Sequence, residues 1–379
     1  MSSTSLSPDV PSVLIVSPAL ADANNGNWHT ASRWARMLRR HCRIGIARRW
    51  QGEACDLLIA LHARRSAESI DAFAAAHPER PLIVVLTGTD IYRDVRSDAA
   101  AQRSLELASH LVALQDQAPF DLSARLRRKC SVVFQSAPPL RPTAPPSRVL
   151  RVVQVGHLRD EKDPVTFMRA AARLGACSDL HFEQIGAALD DKLGMAAQRT
   201  TDRAGNYRWL GALPRAVVRQ HIRRAHLLVS TSRMEGGAQV IVEAAQSGTA
   251  VLASHIPGHV GLLGAEHSGW FPLGDDAALA ALILRARDDP GFLAALRRES
   301  LARAALFDPA EEERRLVALL RTALSASLHA GHRGPALSTP TATTATTAPT
   351  ASTATAATSA TIATTASASC PPYPTRPSA

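Results

Sequence analysis

At 379 residues with 46% apolar content, the chain is long enough for two globular domains with large cores. The formal net charge of +10 favours anionic ligands, but the basic residues are scattered along the chain, which argues against a nucleic-acid-binding protein. No apolar stretch approaches the roughly 20 residues that cross a bilayer, and the N-terminus lacks a signal-peptide pattern. We therefore expect a cytoplasmic protein without stable membrane insertion.

Short apolar runs alternate with amphipathic helical stretches in the first part of the chain. The predicted strands are 12–19, 43–47, 56–62, 81–88, 111–115 and 131–137, and the predicted helices lie near 28–41, 66–76 and 97–109. Continuous apolar strands between helices are typical of a parallel sheet covered on both faces. We predict a disordered start over 1–10 and an N-terminal Rossmann-like domain over 11–140.

A proline-rich stretch, PPLRPTAPPSR, ends this series and predicts a linker over 141–148. A second series then predicts strands at 149–156, 180–186, 207–211, 226–232 and 250–254, and helices at 164–174, 214–225, 238–247 and within 275–328. We assign 149–328 to a second Rossmann-like domain and the Thr/Ala/Pro-rich segment 329–379 to a disordered tail. The predicted fold class is α/β, with two tandem doubly wound domains and a ligand cleft between them.

The sequence has no pattern typical of a metal or cofactor site. Its five cysteines form neither a CxxC pair nor a Cys/His cluster at zinc spacing, and no DxD triplet occurs. The loop after the first strand, ADANNG, is not GxGxxG, so a dinucleotide cofactor is not indicated. We predict reduced thiols, no metal and no cofactor.

The stretch SRMEGGAQVIVEAAQSGTAVLAS, residues 232–254, places two carboxylates around the start of a helix. Glu235 precedes the predicted helix and Glu243 lies more than one turn inside it. Free N–H groups at the start of a helix bind anions, and Gly236 and Gly237 would let a phosphate approach the backbone. The pattern fits a sugar-nucleotide site, but spacing alone fits a capping loop with a solvated glutamate equally well.

This strand–loop–helix–strand unit resembles the nucleotide-sugar motif of the GT-B glycosyltransferases of family 4, and the resemblance spans roughly residues 12–325. It implies that Glu235 contacts the donor sugar and Glu243 the ribose. It also implies diphosphate contacts from VGHLRDEKDP (155–164), where Lys162 matches the family lysine. His157 stands where the family has arginine, so Arg159 is the substitute candidate. The further donor-site candidates are Arg233, Gly236, Gly237 and Ala238 beside Glu235, and Gly26 and Asn27 in the first loop of the N-terminal domain.

Two strand ends of the N-terminal domain supply candidates for the acceptor side of the cleft. IALHARRS (59–66) places His62, Arg64 and Arg65 after a buried strand, and LTGTDIYRD (86–94) does so for Thr87, Thr89 and Asp90. The arginine pair favours an anionic acceptor. His62 or Asp90 is a candidate general base, although a lone histidine there is more often structural.

The strings ALHARRSA, LTGTDIYRD, SRMEGGAQV and GHVGLLG together resemble a narrower family, the selenosugar synthases of selenoneine biosynthesis. That resemblance implies transfer of a sugar from a UDP-sugar, such as UDP-N-acetylglucosamine, to selenophosphate. In such enzymes lysine, arginine and helix dipoles replace a metal in stabilising the departing UDP. The alternatives are an ordinary family 4 transferase acting on a glycan, lipid or small molecule, a sugar-nucleotide isomerase, and a non-enzymatic sugar-nucleotide binder.

Overall fold

The first six strands form one parallel sheet with the order β2-β1-β3-β4-β5-β6. The computed structural model describes residues 10–20, 26–143 and 149–331. The strands are β1 Ser12–Val16, β2 Arg43–Ala47, β3 Leu57–Leu61, β4 Leu82–Leu86, β5 His110–Ala113 and β6 Cys130–Val132. Alternate residues enter two different cores, so the sheet is covered on both faces, as continuous apolar strands require.

A second parallel sheet follows, with the order β12-β11-β10-β7-β8-β9. Its strands are β7 Leu150–Val155, β8 Leu180–Ile185, β9 Tyr207–Trp209, β10 Leu227–Ser230, β11 Ala250–Ser254 and β12 Trp270–Phe271. Two further apolar clusters cover its two faces. The predicted α/β class with two doubly wound sheets is confirmed. The two-residue strand β12 is too short to produce a sequence signal and was not predicted.

The helices lie between the strands, as the alternating pattern predicts. In the N-terminal half they are α1 Gly26–Leu38, α2 Ala67–Ala76, α3 Val95–Ser97, α4 Ala99–Leu107 and α5 Ala124–Arg128, with a π-helical turn Asp90–Asp94 and a 3₁₀ turn Ala118–Asp121. In the C-terminal half they are α6 Pro164–Arg173, α7 Asp191–Arg203, α8 Arg215–Arg224, α9 Gln239–Ala245, α10 Pro257–Leu263, α11 Asp276–Asp288, α12 Pro290–Arg303 and α13 Pro309–Gly331, with 3₁₀ turns Asp160–Lys162 and Ala304–Phe307. Within the described ranges, no helix combines the length and the apolar character that a membrane crossing needs.

The last helix, α13, packs on the N-terminal sheet and not on the C-terminal one. Leu316, Leu319 and Leu320 belong to the same core as Trp34 and Leu38 of α1. The sequence-based assignment of residues up to 328 to the C-terminal domain did not foresee this packing. The predicted domain limits stay predictions. Much of the predicted linker (144–148) and nearly all of the predicted disordered ends (1–9 and 332–379) lie outside the described residues.

A buried carboxylate fixes α13 to the N-terminal half. Glu312 is 1% exposed and forms an ion pair with the Nε atom of Arg33 at 2.9 Å. It also accepts hydrogen bonds from Trp34 Nε1 at 2.7 Å and from the backbone N–H of Ser136 at 2.9 Å. Ser136 lies in the segment that connects the two sheets. Helices α1 and α13 and the connecting segment therefore share one polar network.

The two halves of the molecule meet along a contact that we call the seam. Residues 87 and 88, after β4, lie directly against residues 235 and 236, after β10. A Cβ atom added at Gly88 would lie 2.7 Å from the backbone nitrogen of Gly236, and one added at Gly236 would overlap the carbonyl group of Thr87. Glycine at both positions is therefore what allows the two backbones to approach so closely.

Candidate functional site

The structure brings Glu235 and Lys162 together. Glu235 lies in the loop between β10 and α9, and Lys162 lies in the 3₁₀ turn after β7. The Nζ atom of Lys162 is 2.5 Å from Oε1 of Glu235, and the Ser232 hydroxyl donates to the same oxygen at 2.6 Å. The two residues that the family resemblance assigns to the sugar and the diphosphate are therefore neighbours at the carboxyl ends of β7 and β10.

Glu235 is buried but remains ionised. Burial alone would raise the pKa of Glu235, but the ammonium group of Lys162, His259 and the hydrogen bond from Ser232 together lower it below its usual value. An ionised, desolvated carboxylate is a strong hydrogen-bond acceptor. The site can therefore hold a hydroxyl-rich ligand, provided that the ligand compensates the loss of the contact with Lys162.

His259, which was not predicted, is linked to the Glu235 loop by hydrogen bonds. Its Nδ1 atom lies 2.8 Å from the carbonyl oxygen of Ser254 and its Nε2 atom 2.9 Å from the Ser230 hydroxyl. Burial lowers the pKa of His259 to about 4, so the ring is neutral at neutral pH. The Ser254 hydroxyl in turn donates to the carbonyl oxygen of Ser232 at 2.7 Å. This chain of hydrogen bonds joins α10 and β11 to the loop that carries Glu235.

Glu243 is paired with Arg215, a residue that the sequence analysis did not select. The Nε and Nη2 atoms of Arg215 lie 3.1 and 3.0 Å from Oε1 of Glu243. Burial raises the pKa of Glu243, and Arg215 opposes that rise. Because Arg215 begins α8 and Glu243 lies in α9, no sequence spacing indicates their contact.

The two glycines after Glu235 lie in close packing contacts with the N-terminal half. Gly236 faces the Thr87 carbonyl, and a Cβ atom at Gly237 would lie 2.7 Å from Oε1 of Gln135. Gly236, Gly237 and Ala238 are all buried, and Ala238 adopts a positive φ of 20° immediately before α9. These glycines therefore allow close packing across the seam, and their predicted contact with a phosphate stays a prediction.

The other predicted diphosphate ligands lie around the turn that carries Lys162. Arg233 forms ion pairs with Asp160 at 3.4 Å and with Asp163 at 3.7 Å, and its backbone N–H donates to the carbonyl oxygen of Glu161 at 2.9 Å. Arg159 lies 3.9 Å from Glu161. Both arginines are thus half-exposed and balanced by acidic neighbours, and their contacts with a donor stay predictions.

The N-terminal candidates for the donor lie at the start of α1. Gly26 is the first helical residue, and its carbonyl oxygen accepts a hydrogen bond from the Thr30 hydroxyl at 2.8 Å. Asn27 follows in the first turn. The preceding residues 21–25 lie outside the described residues, so the roles of Gly26 and Asn27 stay predictions.

His62 lies at the end of β3 in a strained backbone conformation, with φ of 71°. Its Nδ1 atom accepts the backbone N–H of Arg65 at 3.3 Å, which leaves the proton on Nε2, 2.9 Å from the Thr89 hydroxyl. Burial lowers the pKa of His62, while Asp90 acts in the opposite direction and Arg65 lowers it further. The ring is neutral at neutral pH, but its acceptor nitrogen is used by the Arg65 N–H, so action as a general base would require that hydrogen bond to open.

Asp90 is fully buried and holds the backbone around it. Its carboxylate accepts four backbone N–H groups at 2.8–3.1 Å, those of Ala63, Thr87, Gly88 and Ile91. A carboxylate engaged in this way fixes the loop after β4 and the π-helical turn. Asp90 therefore has a structural function, and the roles of His62 and Asp90 as general bases stay predictions.

The predicted arginine pair at the acceptor side is exposed. Arg64 forms an ion pair with Asp98 at 2.7 Å, while the charge of Arg65 acts on His62. Arg93, a cation that was not predicted, lies in the π-helical turn after β4 and forms an ion pair with Glu161 at 3.1 Å. That contact joins the acceptor side of the N-terminal half to the turn of Lys162.

Comparisons with known proteins agree with this geometry. Residues 141–305 match the family model described as glycosyl transferases group 1. A sequence comparison with curated proteins gives no significant match. Among solved structures, the chain is similar to HepE of Anabaena in complex with UDP-glucose, with 16% identity and a TM-score of 0.66 over 82% of this chain and 100% of that chain.

Two other similar structures are synthases. Sucrose-phosphate synthase from Thermosynechococcus elongatus has 15% identity and a TM-score of 0.67, over 83% of this chain and 100% of that chain. An alpha,alpha-trehalose-phosphate synthase (UDP-forming) from Burkholderia vietnamiensis has 14% identity and a TM-score of 0.59, over 72% and 73%. At these identities the likeness shows the fold alone, which is the GT-B fold. Residues 141–305 match group 1 glycosyltransferases, and the predicted enzyme class, a glycosyltransferase, is confirmed.

Proposed function

We propose that this protein transfers the sugar of a UDP-sugar, with UDP-N-acetylglucosamine as the candidate donor, to selenophosphate. The product is a selenosugar for selenoneine biosynthesis. The observation that carries the proposal is the seam itself, because it sets the Glu235 loop directly against residues 87 and 88 and so brings the proposed donor side and acceptor side together. The finer choice of acceptor comes from the resemblance of the motif strings to selenosugar synthases.

On the donor side, Glu235 accepts hydroxyl groups of the sugar and Glu243 those of the ribose. Lys162 leaves Glu235 and binds the diphosphate, supported by Arg159, Arg233 and the backbone of residues 236–238. A UDP-type donor is supported by the similar structures, since HepE holds UDP-glucose and the trehalose-phosphate synthase is described as UDP-forming. Cationic groups around the diphosphate stabilise the charge that develops as UDP departs.

On the acceptor side, the chemistry requires little proton transfer. The selenium of selenophosphate attacks the anomeric carbon, the bond from that carbon to the β-phosphate oxygen breaks, and UDP leaves with the electron pair. The selenium is then still bonded to phosphorus, and hydrolysis of that bond by water gives the selenosugar and inorganic phosphate. Because the selenium is already ionised, positioning matters more than a strong base. Arg64 and Arg65 supply the positive field, and Thr87, Thr89 and His62 supply polar contacts at the same strand ends.

Product analysis by mass spectrometry tests the proposal. Purified protein is incubated with selenophosphate and a panel of UDP-sugars, with and without a chelator of divalent metals. We expect UDP release and a carbon–selenium product that both depend on selenophosphate and survive the chelator. UDP release only with sugar or lipid acceptors would establish the ordinary family 4 activity instead, epimer formation from the UDP-sugar alone would indicate an isomerase, and absence of turnover would indicate a binding protein.

Glu235→Gln tests the central donor assignment. We expect kcat/KM to fall by at least ~100-fold, the scale of one positioned transition-state contact. Glu266→Gln is the matched control, since Glu266 is exposed on the loop after α10. Turnover of Glu235→Gln at the rate of the control would remove Glu235 from the reaction.

A further inference from the structure

We propose that His29 and Arg33 of helix α1, in the N-terminal half, contact the diphosphate of the nucleotide donor together with Arg215 of α8, in the C-terminal half. The inference rests on the proposed function, because it requires a nucleotide diphosphate as ligand. It assigns to the N-terminal half a phosphate-binding group that the sequence motifs do not contain.

The geometry begins with two helices that lie side by side. Nη1 of Arg33 lies 3.3 Å from Oε1 of Gln239, the first residue of α9. His29 precedes Arg33 by one turn on the same face of α1, and Glu243 follows Gln239 by one turn on α9. Arg215, bound to Glu243, is also the first charged group to affect His29. These side chains therefore surround one place between α1, α8 and α9.

Arg33 has a donor group that the protein does not use. Its side chain is 7% exposed, its Nε atom is held by Glu312, and Nη1 is held by Gln239. Its Nη2 atom is buried and has no hydrogen-bond partner among the described residues. A buried, unpaired guanidinium nitrogen is costly, and an anionic oxygen is the group that best compensates it.

The surroundings also favour an anion. Cationic side chains outnumber carboxylates: Arg33, Arg215 and Arg219 against Glu243 and Glu312. Burial, then Arg215, Arg33 and His157, lower the pKa of His29 to about 4. The neighbouring arginines that contribute to this lowered pKa also attract a phosphate, to which the neutral ring of His29 can donate its one N–H.

The experiment measures the affinity for UDP by calorimetry and the affinity for uridine by displacement of bound UDP. Loss of affinity for UDP alone indicates a phosphate contact, whereas loss for both ligands indicates a structural effect. The variants are His29→Asn and Arg33→Lys; lysine keeps a cation for Glu312 but removes the planar fork. Arg36→Gln is the control, since Arg36 is exposed on the same helix. We expect each variant to bind UDP about tenfold or more weakly, the scale of one charged hydrogen bond, with uridine affinity unchanged.

Three outcomes decide between the explanations. If the wild-type protein binds no UDP, the proposed function is wrong. If the wild-type protein binds UDP and both variants bind it equally well, the inference is overturned while the proposed function stands. Equal losses of UDP and uridine affinity would likewise overturn it, because they would show that α1 acts on the fold of the site and not on the phosphates.

Discussion

Gly236→Ala tests whether the close contact at the seam is needed for turnover. A methyl group at this position overlaps the carbonyl group of Thr87, which is backbone and cannot rotate away. Ordinary contacts of a Cβ atom are 3.4–4 Å, and Gly236 has no positive φ, so the perturbation is purely steric. The two loops must therefore separate to accommodate the methyl group.

Separation of the loops by ~1 Å is expected to lower kcat/KM by about 100-fold, because reacting groups on opposite sides of the seam lose their alignment. The free energy of unfolding should fall by only about 1–3 kcal/mol, the usual cost of overpacking. UDP release measures the first quantity and urea unfolding the second. Gly205→Ala is the control, since no atom lies within 4 Å of its added Cβ. Wild-type turnover in Gly236→Ala would refute the requirement for a closed seam.

Two further predictions concern stability. Glu312→Gln should lower the free energy of unfolding by about 3–5 kcal/mol, because Arg33 stays buried without its carboxylate. The control, Glu313→Gln, removes only an exposed contact with His41 and should cost less than about 1 kcal/mol in the same urea titration. Similar losses of free energy of unfolding in both variants would show that the buried ion pair stabilises the fold no more than the exposed one. The pKa of His259 is about 4 in the folded protein and near 6.5 in the unfolded chain, so the unfolded state binds more protons below pH 6.5. The free energy of unfolding should therefore fall by about 2 kcal/mol between pH 6.5 and 5 from this residue alone. If His259→Asn leaves the slope of this free energy against pH unchanged, His259 does not contribute.

The parts that the sequence predicted are those with a local signal. Continuous apolar runs mark the central strands, because a strand buried on both faces needs apolar side chains at every position. Glu235 was found because it lies between a predicted strand and a predicted helix, and Lys162 because it matches the lysine of the family motif. Their direct ion pair could not be derived from two separate loops.

The parts that the sequence missed depend on contacts between distant segments. Arg215 looks like a solvated helix residue until α8 and α9 are placed side by side. The packing contacts of the glycines at 236 and 237 with Thr87 and Gln135 have no sequence signal, because the contacting residues lie about 100 or more positions away. Helix α13 follows the C-terminal helices in sequence, so only its apolar contacts with α1 reveal where it packs.

The pairing of each functional carboxylate with a cation has a consequence for donor selection. In the structure Glu235 is held by Lys162 and Glu243 by Arg215, so a donor that uses both carboxylates must replace both contacts. Uridine would satisfy only Glu243, and a free sugar would satisfy only Glu235. A nucleotide sugar supplies hydroxyl groups for both carboxylates and a diphosphate for the released cations. If the proposed roles of these residues hold, binding energy from the nucleotide frees the residues at the reacting sugar, and fragments of the donor are expected to bind poorly.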